Sequence, residues 1–215
     1  MEQYNLVLAG LGGQGVMTIS RVLAAAASHE GLQMKLFEGT GITQRGGGVH
    51  AFVRFGETYS PRIPLGGADA IINLEISEIA SVIHYLKPEG QVWTNSGRIH
   101  GYFSKLRPDC YPDRERIEAM IGLKTHRLHI IPADRLAQES GSVRTVNMVM
   151  MGAFFGGNSF LEAKSIAWAI GQANRKFATA NLDAFWKGYR FSQKREMRHL
   201  GAEKGALGNS LVIEE

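Results

Sequence analysis

The chain has 215 residues, 44% of them apolar and 20% charged, with a formal net charge of +4 and one cysteine. This length supports one well-buried domain and is short for two. The lone Cys110 excludes an intrachain disulfide and any all-cysteine zinc or iron–sulfur site built from this chain alone, and it fits a reducing, cytoplasmic setting.

The opening MEQYNLVLAG lacks the basic segment and long apolar core of a secretory leader, and there is no run of 18 apolar residues. Neither export nor a membrane span is therefore expected. In chain order, YNLVLAG is a short apolar run ending in glycine, the pattern of a buried strand. Residues 14–30 predict a helix, with Val16, Ile19, Val22 and Leu23 on one side and Gly31 as its stop. QMKLFE predicts a second strand and completes a strand–helix–strand unit. In VHAFVRF, Val49, Ala51, Val53 and Phe55 alternate with His50, Phe52 and Arg54, giving a strand covered on at least one face. ADAIINLE reads as another buried strand, and SEIASVIHYLKPEG as a helix stopped by Pro88 and Gly90. GQVWTNS and HRLHIIPAD give further strands. From about residue 134 the pattern turns helical, through ADRLAQES, TVNMVMMGAFFGG, FLEAKSIAWAIGQANRKF and NLDAFWKGYRFSQKREMRH.

Strands alternating with helices, with helices last, predict a three-layer α/β/α Rossmann-like domain with a mainly parallel sheet and a helical C-terminal segment. The expected organisation is a domain over residues 1–190 and a basic tail over 191–215. Residues 187–204 hold six Lys/Arg against two Glu, which suits a solvated or subunit-docking face. Without interleaved aromatics or a reader motif, nucleic acid is not an expected partner.

Gly10-Leu11-Gly12-Gly13-Gln14-Gly15 fits the G-x-G-x-x-G pattern, where glycines let the backbone turn and approach an anion at a helix start. Glu38 ends the second strand, about where a ribose-binding acid would stand. One reading is therefore a stand-alone NAD(P)-dependent oxidoreductase with His50 as its best proton donor, and another is a non-catalytic nucleotide-binding module. Glu38, however, runs into GTGITQRGGG, a second glycine cluster with no obvious place in a dehydrogenase. There Arg45, with Gln44, Gly46 and Gly47 beside it, is suited to clamp a carboxylate or phosphate; the alternative is a structural hairpin. Asn147 is placed to hydrogen-bond at a site or at a helix start, while Met148, Met150, Met151, Phe154 and Phe155 read as core. YSPRIP is a stiff loop carrying Arg62. His126 and His129 lie on one strand with opposite facing, so no metal site is expected. There is no nucleophile elbow, zinc spacing or P-loop lysine. The chain is equipped to hold an anion and present loops rather than to perform difficult chemistry alone.

Taken in order, GLGGQG, QRGGGVHAFVRFG, YSPRIPLGGADAIINLE and NMVMMGAFFG resemble the gamma-type domain of 2-oxoacid:ferredoxin oxidoreductases, in particular its indolepyruvate branch, over roughly residues 4–190. The resemblance implies the small subunit of an enzyme that oxidatively decarboxylates a 2-oxoacid to an acyl-CoA and passes electrons to ferredoxin. It implies thiamine diphosphate, Mg and 4Fe–4S clusters in a large partner subunit, none bound by this chain alone, coenzyme A as co-substrate, and a homodimer when the chain is made alone. By the same resemblance, Gly12, Gly13, Gln14 and Gly15 match the first loop and Gln44, Arg45, Gly46 and Gly47 the second. Ser60-Pro61, Asp69, Glu75 and Asn147 match the remaining signature positions. Arg45 and Gln44 are then the catalytic candidates, with the glycines, Gln14 and Asn147 as cofactor-binding positions.

Overall fold

The computed structural model describes residues 3–39, 47–99, 111–173 and 175–208, with side chains through residue 194. Its centre is a six-stranded sheet built from β1 (Tyr4–Leu11), β2 (Met34–Gly39), β3 (Gly48–Phe55), β4 (Ala68–Asn73), β5 (Leu86–Asn95) and β6 (Leu128–Ile131). The spatial order is β2-β3-β1-β4-β5-β6. Strands β1, β4, β5 and β6 run parallel, and β3 runs antiparallel to both of its neighbours. The expected mainly parallel α/β sheet is present. Its strands are apolar on both faces because both are covered: Leu6 and Leu8 enter one core, Val7 and Ala9 the other.

The strand–helix–strand unit is modified. β1 and β2 are not neighbours, because β3 lies between them and pairs Phe55 with both Tyr4 and Met34. β3 suits that inner position: Ala51, Val53 and Phe55 fill one core while Phe52 fills the other. The ladder therefore carries Glu38 one strand spacing, about 4.8 Å, further from β1 than a doubly wound order would.

Helix α1 (Val16–His29) follows β1 and ends as its glycine stop predicts. Gly31 takes φ +69°, with Gly31 N–H donating to the Ser28 carbonyl and Leu32 N–H to Ala27. The helix expected over SEIASVIHYLKPEG is corrected. Ile76–Ser81 and Ile83–Tyr85 are 3₁₀ turns, and β5 already begins at Leu86 and runs through Pro88. Ile76, Ile79 and Val82 are three residues apart and all buried, a spacing that fits the three-residue 3₁₀ turn. Pro88 is accommodated where the register with β4 shifts, beside Glu89 at φ +57°. A short helix that the sequence reading did not anticipate, α2 (Arg114–Gly122), seats Ile117 and Ile121 on the same face.

The other face is packed by α1, α3 (Ala133–Glu139), α4 (Val146–Gly156), α5 (Ala163–Ala173) and α6 (Ala178–Gly208), the helical C-terminal segment. The Met148–Phe155 run is core. α4 and α6 touch through glycine: a Cβ at Gly152 would lie 2.0 Å from the Phe185 carbonyl oxygen, and one at Gly188 2.0 Å from that of Val149. Among the described residues no helix is long and apolar enough to cross a membrane.

Candidate functional site at the glycine turn

Connections leave β1 towards β3 and β2 on one side, and β4 continues to β5 and β6 on the other, so the carboxyl ends of β1 and β4 mark the topological switch point of the sheet. The turn Gly12–Gly15 lies there. Gly13 and Gly15 adopt φ +97° and +90°, left-handed backbone that glycine takes without strain. The Gln14 side chain braces the turn: its Oε1 accepts from Leu11 N–H at 2.7 Å, and its Nε2 donates to the Leu74 carbonyl at 3.3 Å. Gln14 thus turns inward, and the surface of the turn is backbone. Gly15 begins α1 without a side-chain cap.

The structure joins the first loop to the base of the second. Gly12 N–H donates to the Gly47 carbonyl at 2.9 Å. Asn147 also arrives here from α4, 94% buried, with Nδ2 3.4 Å from the Gly15 carbonyl and Oδ1 accepting from Met148 N–H. Gly15 is forced by that contact, since a Cβ would lie 2.3 Å from Asn147 Nδ2. Gly12, Gly13, Gln14, Gly15, Gly47 and Asn147 are therefore one cluster. Gln44, Arg45 and Gly46 lie outside the described residues, as does Cys110.

Below the turn, the ends of β4 and β5 carry a polar layer that periodicity did not reveal. Glu75 is fully buried and accepts from Ser77 N–H at 2.9 Å, Ile99 N–H at 3.3 Å and the Tyr111 hydroxyl. Asn73 donates to the Glu75 carbonyl and to Thr94, and Asn95 donates to the Leu74 carbonyl and Asp134. Glu78 leans over the start of β3, where a Cβ at Gly48 would meet its Oε2 at 2.3 Å. Burial, helped by the Glu75 carboxylate, pushes the Glu78 carboxyl up to about 6. The sequence held one signal of this layer, two acids three residues apart just after an apolar strand.

Other candidates serve the scaffold. Asp69 accepts from Asn5 N–H and pairs with Lys87. Buried Arg54 holds the YSPRIP loop, donating to the Ser60 and Arg62 carbonyls, which accounts for the loop's stiffness. Glu38 accepts from Ser20 Oγ at 2.9 Å, so its carboxylate is engaged on α1, and β3 separates its strand from β1. That arrangement does not favour a ribose-binding role. His50 lies against Phe52 with the two rings tilted by 38°, and burial, with His84 and Arg62 nearby, lowers its pKa and favours the neutral ring. His129 lies in β6, stacked on Trp93, while His126 precedes the strand.

Residues 5–191 match the family of pyruvate ferredoxin/flavodoxin oxidoreductase. The chain belongs to this family. The match includes both glycine loops, the Glu75 layer and Asn147. The indolepyruvate oxidoreductase subunit IorB of Pyrococcus horikoshii is 37% identical over 155 residues, covering 71% of this chain and 77% of that protein. The subunit of the same name from Archaeoglobus fulgidus is 34% identical over 187 residues, covering 86% and 93%. The gamma subunit of a keto/oxoacid ferredoxin oxidoreductase from Geobacter sulfurreducens shares the fold, with a TM-score of 0.66 and 21% identity, covering 89% of this chain and 99% of that one. The family's relatives are thus subunits of oxidoreductase complexes, as the order of the glycine motifs implied.

Proposed function

We propose that this chain is the small, cofactor-free subunit of a thiamine-diphosphate-dependent 2-oxoacid:ferredoxin oxidoreductase in the cytoplasm, with indolepyruvate or a related arylpyruvate as substrate. The net reaction converts a 2-oxoacid anion and a CoA thiol to an acyl-CoA and carbon dioxide, with two electrons passed to ferredoxin and a proton released. The observation that carries this reading is the Gly12–Gly47 hydrogen bond, which sets Gly47 against the backbone-rich surface of the first glycine turn at the switch point. Such a surface receives an anion or a partner's loop and offers no nucleophile of its own.

Bound in the large partner subunit, thiamine diphosphate with Mg would supply carbanion stabilisation and the 4Fe–4S clusters would carry the electrons. The donor set here agrees with that division, since one cysteine cannot ligate a cluster that needs four thiolates. In this reading Gly12, Gly13, Gly15, Gly46 and Gly47 let the cofactor or coenzyme A approach the backbone closely, with Gln14 and Asn147 fixing the first turn. Arg45 clamps the substrate carboxylate or a coenzyme A phosphate, and Gln44 orients beside it. Residues 1–190 form the functional domain and 191–215 a basic tail.

The test is dye reduction dependent on a 2-oxoacid, measured on the purified chain and on the chain mixed with its large partner. No turnover alone, turnover on mixing, and a preference for indolepyruvate over pyruvate are expected. Strong activity of the isolated chain overturns the proposal.

A further inference from the structure

Behind the glycine turn, on the helical side of the sheet, a cavity of about 350 Å³ opens between α1, α4 and α6. Of its lining residues, only Asn147 belongs to the glycine-turn site. Three helices begin at this cavity: Thr18 lies in the first turn of α1, Met148 in that of α4, and Asn181 near the start of α6. None of the three carries an acidic residue in its first turn, and α1 and α4 have no side-chain cap. No acidic side chain in these first turns offsets the positive helix ends, although Thr18 N–H donates to the Gly15 carbonyl and Met148 N–H to Asn147 Oδ1.

The cavity has one charged lining residue, Arg144. Arg144 N–H donates to Ser142 Oγ, but the guanidinium is in no hydrogen bond or ion pair among the described residues, and no acid lines the space. The lining also includes the apolar side chains of Met148 and a half-exposed Phe177. The volume falls in the range of pockets for small organic ligands.

We propose that this cavity binds a small aryl carboxylate, with the carboxylate on Arg144 and the flat apolar body against Met148 and Phe177. A single guanidinium among neutral hydrogen-bonding groups suits a monoanion, and its planar fork matches a carboxylate. The apolar wall selects an acid with a sizeable body over a bare ion. The inference concerns this chain alone and holds whichever reaction the complex performs.

The experiment is calorimetric titration of the full chain with indole-3-acetate and with its neutral counterpart tryptophol. Saturable one-to-one binding of the acid is expected, weakened about tenfold or more both for tryptophol and in Arg144→Gln. Ala180→Trp, which fills the cavity, abolishes binding, while Arg135→Gln, at an exposed position of α3, leaves it unchanged. Thermal melts establish that each variant is folded. Absence of saturable binding, equal affinity for tryptophol, or full affinity in Arg144→Gln overturns the proposal. Tighter binding of inorganic phosphate than of the acid overturns the ligand class. Because these readouts are binding to the isolated chain, they are separate from the turnover that tests the oxidoreductase reading.

Discussion

Gly13 and Gly15 both hold positive φ, yet their surroundings differ. Nothing lies within 4 Å of a Cβ placed on Gly13, whereas one on Gly15 runs into Asn147. Gly13→Ala should therefore cost backbone strain alone, about 1–2 kcal/mol, and Gly15→Ala about 1–3 kcal/mol more, in urea unfolding of the isolated chain. In the reconstituted complex the open side of Gly13 becomes decisive. Gly13→Val should lower kcat/KM more than Arg45→Ala, because a β-branched side chain blocks approach to the turn. Arg45→Ala should lose about 1.5–3 kcal/mol of interaction, roughly ten- to a hundredfold in rate or affinity, with Arg45→Lys restoring part of it. Unchanged kinetics in a folded Arg45→Ala protein would reduce the second loop to a structural hairpin. Glu78 gives a pH prediction. Its folded pKa of about 6 is above the ordinary value of 4.5, so the folded state holds the proton more tightly than the unfolded chain. Its contribution is fully present below pH 4.5 and is lost as pH rises through 6. Glu78→Gln should gain stability relative to the parent above that window and none below it. About 1 kcal/mol is expected, discounted for partial exposure, and melting temperatures across pH would show it.

At the scale of elements, the α4–α6 contact is the most exacting. Alanine has the higher helix propensity by about 1 kcal/mol, so Gly152→Ala or Gly188→Ala on an exposed face would stabilise. Here each added methyl lies 2.0 Å from a carbonyl oxygen of the other helix and must push the pair apart. A net loss of about 1–3 kcal/mol is expected in chemical denaturation, and a neutral or stabilising result would refute the close packing. Elements with a complete local signal were legible in the sequence. α1 carries an apolar stripe and a glycine stop, and β3 an apolar residue at every second position from Val49 to Phe55. The segment after β4 was not, because three-residue apolar spacing over a short run is compatible with both an α-helix and 3₁₀ turns. Burial of Ile76, Ile79 and Val82 beneath the sheet selects the tighter turn.

For the whole molecule, the proposed role requires a partner to reach the face that carries the Gly12–Gly15 turn, and a subunit that completes another's site needs a broad interface. The isolated chain should therefore associate with itself and exchange that contact for the large subunit when it is added. Sedimentation velocity should report a dimer or larger species alone and a defined complex after mixing. A monodisperse monomer with no affinity for the large subunit would count against the functional assignment.

The sequence by itself determined the family, the α/β class, the first glycine turn and the absence of a cluster-forming cysteine set, because each is written in residue type and local spacing. It did not determine that β3 separates β1 from β2, since strand neighbours are chosen by which apolar faces two cores can cover. Nor did it show that Gly12 would meet Gly47, that Asn147 would brace Gly15 across 132 positions, or that Glu75 would be buried under Tyr111. Those contacts join residues far apart in the chain, and only the closing of the sheet and the packing of α4 on it bring their hydrogen-bonding groups within reach.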